Sequence, residues 1–409
     1  MDSSSGKTKL LYIVDPPLGI NGGVGVLAGI LIEAFSEDYE IHLLSADESS
    51  VVAGHPAGQR IASHRQWAPP RSFPSTGYLA YVRSVAEEAR RSGITLAHFQ
   101  TGFYNFGNRF PGLSLPKQLK RQGILSIWTN HAIITALGGY GDGWLKQTAL
   151  FPIKWLGVYD QLRHTEIKIQ VARYNQRRLH RLWFQRSNQN IHFYHSTLDS
   201  SADGVCERRK PVVLNIGYLS RIKRQDLLVR AFLEIAGTYP EWELHLAGGD
   251  THDGCSEAIR WMLQSSPHGG RVTLLGHVAN PEPLLRECGV YAHTSDIECL
   301  PLALQEAMHD GCPIIASKIE AHRELLGDSE AGLLFRKGSS EDLADGLSRL
   351  LGNEQFRDDL GLRARHRLAS MGISRDAMIE NHRRLYQRIL AGEPHHRISF
   401  RPTAGHSDR

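Results

Sequence analysis

The run from His293 to Ser317, HTSDIECLPLALQEAMHDGCPIIAS, constrains this chain more than any other stretch. Proline is favoured at the first position of a helix and glycine just past its end. Pro301 and Gly311 therefore predict a short helix from Pro301 to about Asp310. Tyr291-Ala292-His293 before it and Pro313-Ile314-Ile315-Ala316 after it read as short buried strands.

Two carboxylates sit eight positions apart here, Glu298 in the loop that feeds the helix and Glu306 on its body. At about 1.5 Å of rise per residue, that spacing corresponds to roughly 12 Å. It suits one carboxylate against a sugar and the other against a ribose. A diphosphate would lie between them, against the free N–H groups of the helix start at Leu300 and Pro301.

Leu300-Pro301-Leu302 lies between the two carboxylates, and Glu306-Ala307-Met308 is followed by Gly311-Cys312-Pro313. The whole string resembles the retaining, nucleotide-sugar-dependent glycosyltransferases of family four, glycosyl transferases group 1. The resemblance implies the GT-B fold, an α/β architecture of two Rossmann-like parallel-sheet domains facing across a cleft. It also implies a closing helix that crosses back to the first domain.

The N-terminal half opens in keeping with that. Leu10 to Val14 is an apolar strand, Gly19 to Gly25 is a glycine-rich turn, and Val26 to Phe35 has helical periodicity. Glycines there let the backbone approach a ligand, although the spacing is not the dinucleotide GxGxxG. In the resembled family the turn matching Gly22 and Gly23 closes over the donor diphosphate. Residues 46–75 read as a surface excursion without periodicity, and 103–116 as a loop. Ile94 to Phe99 and Ile124 to Trp128 read as strands, which puts His98 and His131 at carboxyl ends, where open parallel sheets bind ligands. His131 matches the family's histidine near the transferred sugar, and His98 is an acceptor-side candidate.

Gly138 to Gly143 reads as a flexible link, and Trp144 to Gln185 as a helical stretch rich in Lys and Arg. Such a stretch is a solvated helix face or, through residues 146–186, a peripheral contact with anionic membrane. Leu182 to Phe184 and Ile191 to Tyr194 read as the last strands of the first domain.

The polar run Ser200 to Lys210 marks the domain junction. The domains expected are 1–203, with a crossing helix at about 373–392, and 204–372; residues 393–409 read as a disordered tail. Pro211 to Ile216 starts the second domain, and Lys223 follows in the loop before a helix, a place suited to phosphate neutralisation. Lys223 matches the family's lysine, while Tyr218 stands where the family has an arginine. The diphosphate is then left to Lys223 and the helix start, with Arg221 as a candidate substitute. In the family the backbone at Gly276 and His277, after the strand Val272 to Leu275, lies against the nucleotide base.

A chain of 409 residues with 41% hydrophobic and 22% charged residues is an ordinary globular protein of two to three domains. A net charge of +4 points to no class of partner, and no nucleic-acid motif appears. No apolar run is long enough to span a bilayer, and the polar start MDSSSGKTK lacks a signal-peptide pattern. Five cysteines without CxxC spacing fit a reducing cytoplasm, with Cys299 beside Glu298 as a small loop residue.

The function expected is transfer of a sugar from a UDP- or GDP-linked donor to an acceptor hydroxyl, on a sugar or a lipid-linked molecule, with retention. Glu298 and His131 would hold the sugar, Lys223 the diphosphate and Glu306 the ribose. No Asp-x-Asp occurs, so neither metal nor cofactor is expected. The alternatives are a GT-B epimerase or hydrolase, and a non-catalytic nucleotide-sugar-binding protein.

Overall fold

Short runs of Leu, Ile and Val, buried on both faces and ended by turn residues, suit parallel strands covered by helices. The computed structural model describes residues 6–15, 18, 22–69, 76–101, 112–133, 151–183, 189–199 and 209–393. The chain divides into two compact units.

The first unit takes Met1–Thr197 and the returning segment from Asp376. Its strands are β1 (Thr8–Asp15), β2 (Tyr39–Ser45), β3 (Ile61–Gln66), β4 (Leu96–Thr101), β5 (Leu125–Asn130), β6 (Ile167–Gln170) and β7 (Asn190–His192). They form one sheet in the order β3-β2-β1-β4-β5-β6-β7, with every pair parallel. Helix Arg375–Leu390 buries Met378, Leu385, Tyr386 and Ile389, and its Tyr386 hydroxyl lies 2.7 Å from the Tyr12 hydroxyl of β1.

The second unit takes Leu198–Arg375. Its strands are β8 (Lys210–Ile216), β9 (Glu243–Ala247), β10 (Val272–Gly276), β11 (Cys288–His293), β12 (Ile314–Ser317) and β13 (Leu333–Phe335). Their order is β10-β9-β8-β11-β12-β13, again all parallel. The winding direction reverses between β8 and β11, which makes the carboxyl ends of these two strands the switch point where such sheets bind ligands. The loop that carries Lys223 follows β8, and the loop that carries Glu298 follows β11.

Several expectations change. The helix after Glu298 is Leu302–His309, with Pro301 at its N-cap instead of its first turn. The excursion at 46–75 contains helix Ser49–Gly54 and edge strand β3. The basic stretch is not one helix: Phe151–His164 and Arg173–Trp183 are helical, and β6 lies between them. Lys168, one base of that stretch, is 1% exposed inside the strand and so belongs to no solvated face. Leu182 closes a helix rather than opening a strand, because Tyr174, Leu179 and Trp183 bury one helical face. Helix Glu320–Leu326 was not anticipated. Gly19 to Asn21, most of the 103–116 loop, Gly138 to Gly143, Lys146, most of the junction run and the tail lie outside the described residues.

Candidate active site in the second unit

Two loops meet at the ends of β8 and β11. The Asp296 N–H donates to the Ile222 carbonyl at 2.8 Å, and the Thr294 hydroxyl to the Lys223 carbonyl at 2.9 Å. Arg224 sits in the left-handed region at φ 56° and caps the helix Gln225–Ile235. Its guanidinium spans Asp226 at 3.2 Å and Asp296 at 3.1 Å, tying one loop to the other.

This frame brings Glu298 and Lys223 together. Three donors converge on Glu298 Oε1: Lys223 Nζ at 2.5 Å, Ser295 Oγ at 2.7 Å and His293 Nε2 at 3.0 Å. The Glu298 side chain keeps 11% of its exposure. Burial opposes its charge, but the Lys223 ammonium and His293 outweigh burial and hold the carboxyl well below the usual range. The site thus presents a fixed carboxylate and, beside it, an ammonium with donors to spare.

Glu306 projects from the body of helix Leu302–His309, half-buried. Burial pushes the Tyr291 phenol well up, and the charges of Glu306 and Glu298 push it further, so both carboxylates act on one buried ring. Leu300 and Pro301 form the approach to the helix, whose start has no side-chain cap. Gly276 ends β10 at φ 67°, a conformation that favours glycine, and its carbonyl accepts from the Gly248 N–H at 2.7 Å. His277 follows it, exposed. Arg221 is exposed and makes no ion pair among the described residues; its backbone N–H donates to Asp253 at 2.7 Å and its guanidinium lies against Gly254. Arg224, three residues on, is the guanidinium that ties the two loops together.

In the first unit, Gly22 caps the helix Gly23–Phe35, and no side chain caps that start. His131 follows β5, half-buried. Its Nε2 lies 2.7 Å from Gln100 Oε1, and its ring stands edge-on to His195 at 5.5 Å. Burial, then His382, lowers it to about 3, so it is neutral at physiological pH. His98 is a correction. It lies inside β4, 1% exposed, with its Nδ1 on the Tyr386 hydroxyl and its Nε2 2.7 Å from Thr129 Oγ1. A ring held at both nitrogens inside a sheet does not meet an acceptor.

Sequence reasoning missed His293, Ser295 and Gln100, because each sits on or beside a strand and reads as core. The period-two spacing of Tyr291 and His293 was the available signal.

Residues 200–367 match the family model for glycosyl transferases group 1. The chain is 24% identical over 322 residues to N-acetyl-alpha-D-glucosaminyl L-malate synthase of Bacillus anthracis, covering 78% of this chain and 81% of that protein. It is 30% identical over 166 residues to D-inositol 3-phosphate glycosyltransferase of Nocardia farcinica, covering 38% of this chain and 36% of the relative. Among solved structures, Anabaena HepE in complex with UDP superposes with a TM-score of 0.73 at 16% identity, over 94% of this chain and 100% of that one. Sucrose-phosphate synthase of Thermosynechococcus elongatus does so with 0.73 at 20% identity, over 95% and 100%. The chain has the GT-B fold, and residues 200–367 of it are similar to the glycosyl transferases group 1 family.

Proposed function

We propose that this protein is a retaining glycosyltransferase that moves a sugar from a nucleoside diphosphate to an acceptor hydroxyl without a metal. The observation that carries the reading is the Lys223–Glu298 pair at the switch point of the second sheet, 2.5 Å apart. Transfer breaks the bond between the anomeric carbon and the diphosphate and leaves charge on the departing oxygen. Lys223 keeps one N–H on Glu298 and turns others to that oxygen, and the open helix start at Leu302 adds backbone donors. Glu298, ionised by its neighbours, accepts hydrogen bonds from the sugar hydroxyls and fixes the ring for attack. Glu306 accepts from the ribose, and the backbone at Gly276 and His277 lies along the base. His131, neutral, is the first unit's group for a sugar or acceptor hydroxyl.

Retention follows a front-face course: the acceptor oxygen bonds to the anomeric carbon on the side the diphosphate leaves, and its proton passes to the departing phosphate oxygen. HepE has been solved with UDP-glucose, and this supports a uridine donor here.

The test is a thermal-shift screen of UDP-, GDP- and ADP-sugars, followed by turnover with EDTA present. Bound ligand raises the melting temperature by mass action. Stabilisation by one nucleotide family, with EDTA-insensitive, acceptor-dependent release of the nucleotide, is the expected result. Release at the same rate without acceptor would identify a hydrolase instead.

A further inference from the structure

Behind Glu298 lies a second layer of polar groups to which the reaction above assigns nothing. Tyr291 and His293 are two positions apart on β11, so their side chains share a face of the strand. The Tyr291 hydroxyl lies 2.9 Å from His293 Nδ1, and His293 Nε2 lies 3.0 Å from Glu298 Oε1. Both rings are nearly inaccessible, at 0% and 2% exposure.

The direction of these bonds follows from their end. An ionised carboxylate only accepts, so His293 Nε2 carries the hydrogen. In the neutral ring Nδ1 then holds a lone pair, and the Tyr291 O–H donates to it. The groups facing His293 keep it there. His322, from helix Glu320–Leu326, stands edge-on to it at 4.9 Å, and the His322 Nδ1–H donates to the Ser317 carbonyl at 2.7 Å. The Ser317 hydroxyl donates in turn to the Ser295 carbonyl at 2.5 Å, and the Ser295 hydroxyl to Glu298. Lys223 Nζ holds the same carboxylate oxygen from the other loop.

We infer that His293 is a positioning residue, held by Tyr291 as its Nε2–H tautomer, which fixes the rotamer of Glu298 against the transferred sugar. The inference rests on the function proposed above. A carboxylate with one neighbour swings; one pinned from the strand behind it presents a single face to the sugar. Lys223 is then spared from holding Glu298 alone and remains available to the diphosphate.

Three variants and one spectrum test this. His293→Gln keeps a donor near the place of Nε2, His293→Leu removes it, and Tyr291→Phe removes the group that selects the tautomer. His293→Leu is expected to lower kcat about ten- to a hundredfold, the scale of one hydrogen bond to a charged group. The donor KM should change little, and the acid limb of kcat should move up by about one pH unit or more. His293→Gln should restore kcat to within a few-fold of the parent, and Tyr291→Phe should fall between the two. Nitrogen-15 NMR of the parent, with His293 assigned by the loss of its signals in His293→Gln, should show the Nε2–H tautomer. An Nδ1–H tautomer or a doubly protonated ring overturns the inference. So does a folded His293→Leu with the parent's kcat and pH profile, or a His293→Gln as poor as His293→Leu. A parent that turns over no nucleotide sugar overturns the proposed function instead, and the spectrum still decides the tautomer.

Discussion

Lys223 Nζ and Glu298 Oε1 are 2.5 Å apart although 75 positions separate them in the chain. Each loop is carried to the other by its own strand, and the pair lies largely out of water. Its charges are therefore worth more to each other than those of a fully exposed pair, and removing Lys223 leaves Glu298, 11% exposed, with Ser295 and His293 to offset its charge.

That dependence predicts coupled effects. Lys223→Met and Glu298→Gln should each lower turnover about a hundredfold or more. In urea unfolding, a double-mutant cycle should return about 1–3 kcal/mol of coupling. The sign with pH follows from the depressed carboxyl. Its contribution is complete above the unfolded value of about 4.5 and is lost as pH falls through the lower folded value. The stability gap between the parent and Lys223→Met should therefore narrow in acid. A gap that is constant from pH 7 to pH 3 would argue against the pairing.

The first unit should be sensitive to acid for a different reason. His98, His195 and His382 are buried together, with His382 5.0 Å from His195 and 5.4 Å from His98, and half-buried His131 stands beside His195. Burial lowers all four, His131 to about 3 and His382 to about 4. The unfolded chain takes up protons below about 6.5 and the folded chain does not, so stability falls as pH drops from there toward the folded values. Each such ring removes about 1.4 kcal/mol per pH unit in that window. His382→Phe, which deletes a ring whose Nε2 has no partner, should flatten the fall in melting temperature between pH 6.5 and 5. An unchanged slope would show that His382 does not titrate on unfolding.

Lys168 gives the opposite experiment in alkali. It lies inside β6, and burial lowers it to about 8, against the attraction of Glu166. The unfolded chain holds this proton up to about 10.5, so stability should climb as pH rises from 8 toward 10.5. Lys168→Met removes the cost of burying the charge and should stabilise the protein at pH 7 by about 3 kcal/mol. The gain should vanish at high pH. Because this lysine is inside the sheet, the substitution should leave binding to anionic vesicles as it was. Weaker vesicle binding would return Lys168 to the surface.

The readable parts of the sequence were those in which one physical rule acted alone. Pro301 and Gly311 bounded their helix to within a residue or so, and the apolar runs of β1, β5, β8 and β11 announced buried strands. β3 was hidden because IASHRQ is a half-exposed edge strand with little apolar content. β6 was hidden because IKIQ places a lysine where a buried strand usually carries an apolar residue. The two carboxylates stood out as candidates because their string resembles a known one, and Lys223 because of its place in a loop between a strand and a helix; the structure brings Lys223 and Glu298 together. Tyr291, His293 and Ser295 did not stand out, since a polar residue that ends a strand looks the same whether it supports a site or closes a sheet. His98 was misplaced by two residues of strand: β4 runs on to Thr101, so a histidine read near the strand's end lies inside the ladder.

Glu306 carries the last prediction. It rises from the helix whose start is open and acts on the same buried phenol as Glu298. As the acceptor for ribose hydroxyls, it should matter to the nucleoside and not to the sugar. Glu306→Ala should weaken UDP binding about tenfold, which removes about 1.4 kcal/mol of the stabilisation seen at a fixed saturating concentration. The control is 2′-deoxy-UDP. In the parent it should bind more weakly than UDP, because one partner of the hydrogen bond is missing. In Glu306→Ala the two nucleotides should bind alike, since the carboxylate that told them apart is gone. If the variant still prefers UDP by the parent's margin, the ribose is held by another group and Glu306 has only a structural role in its helix.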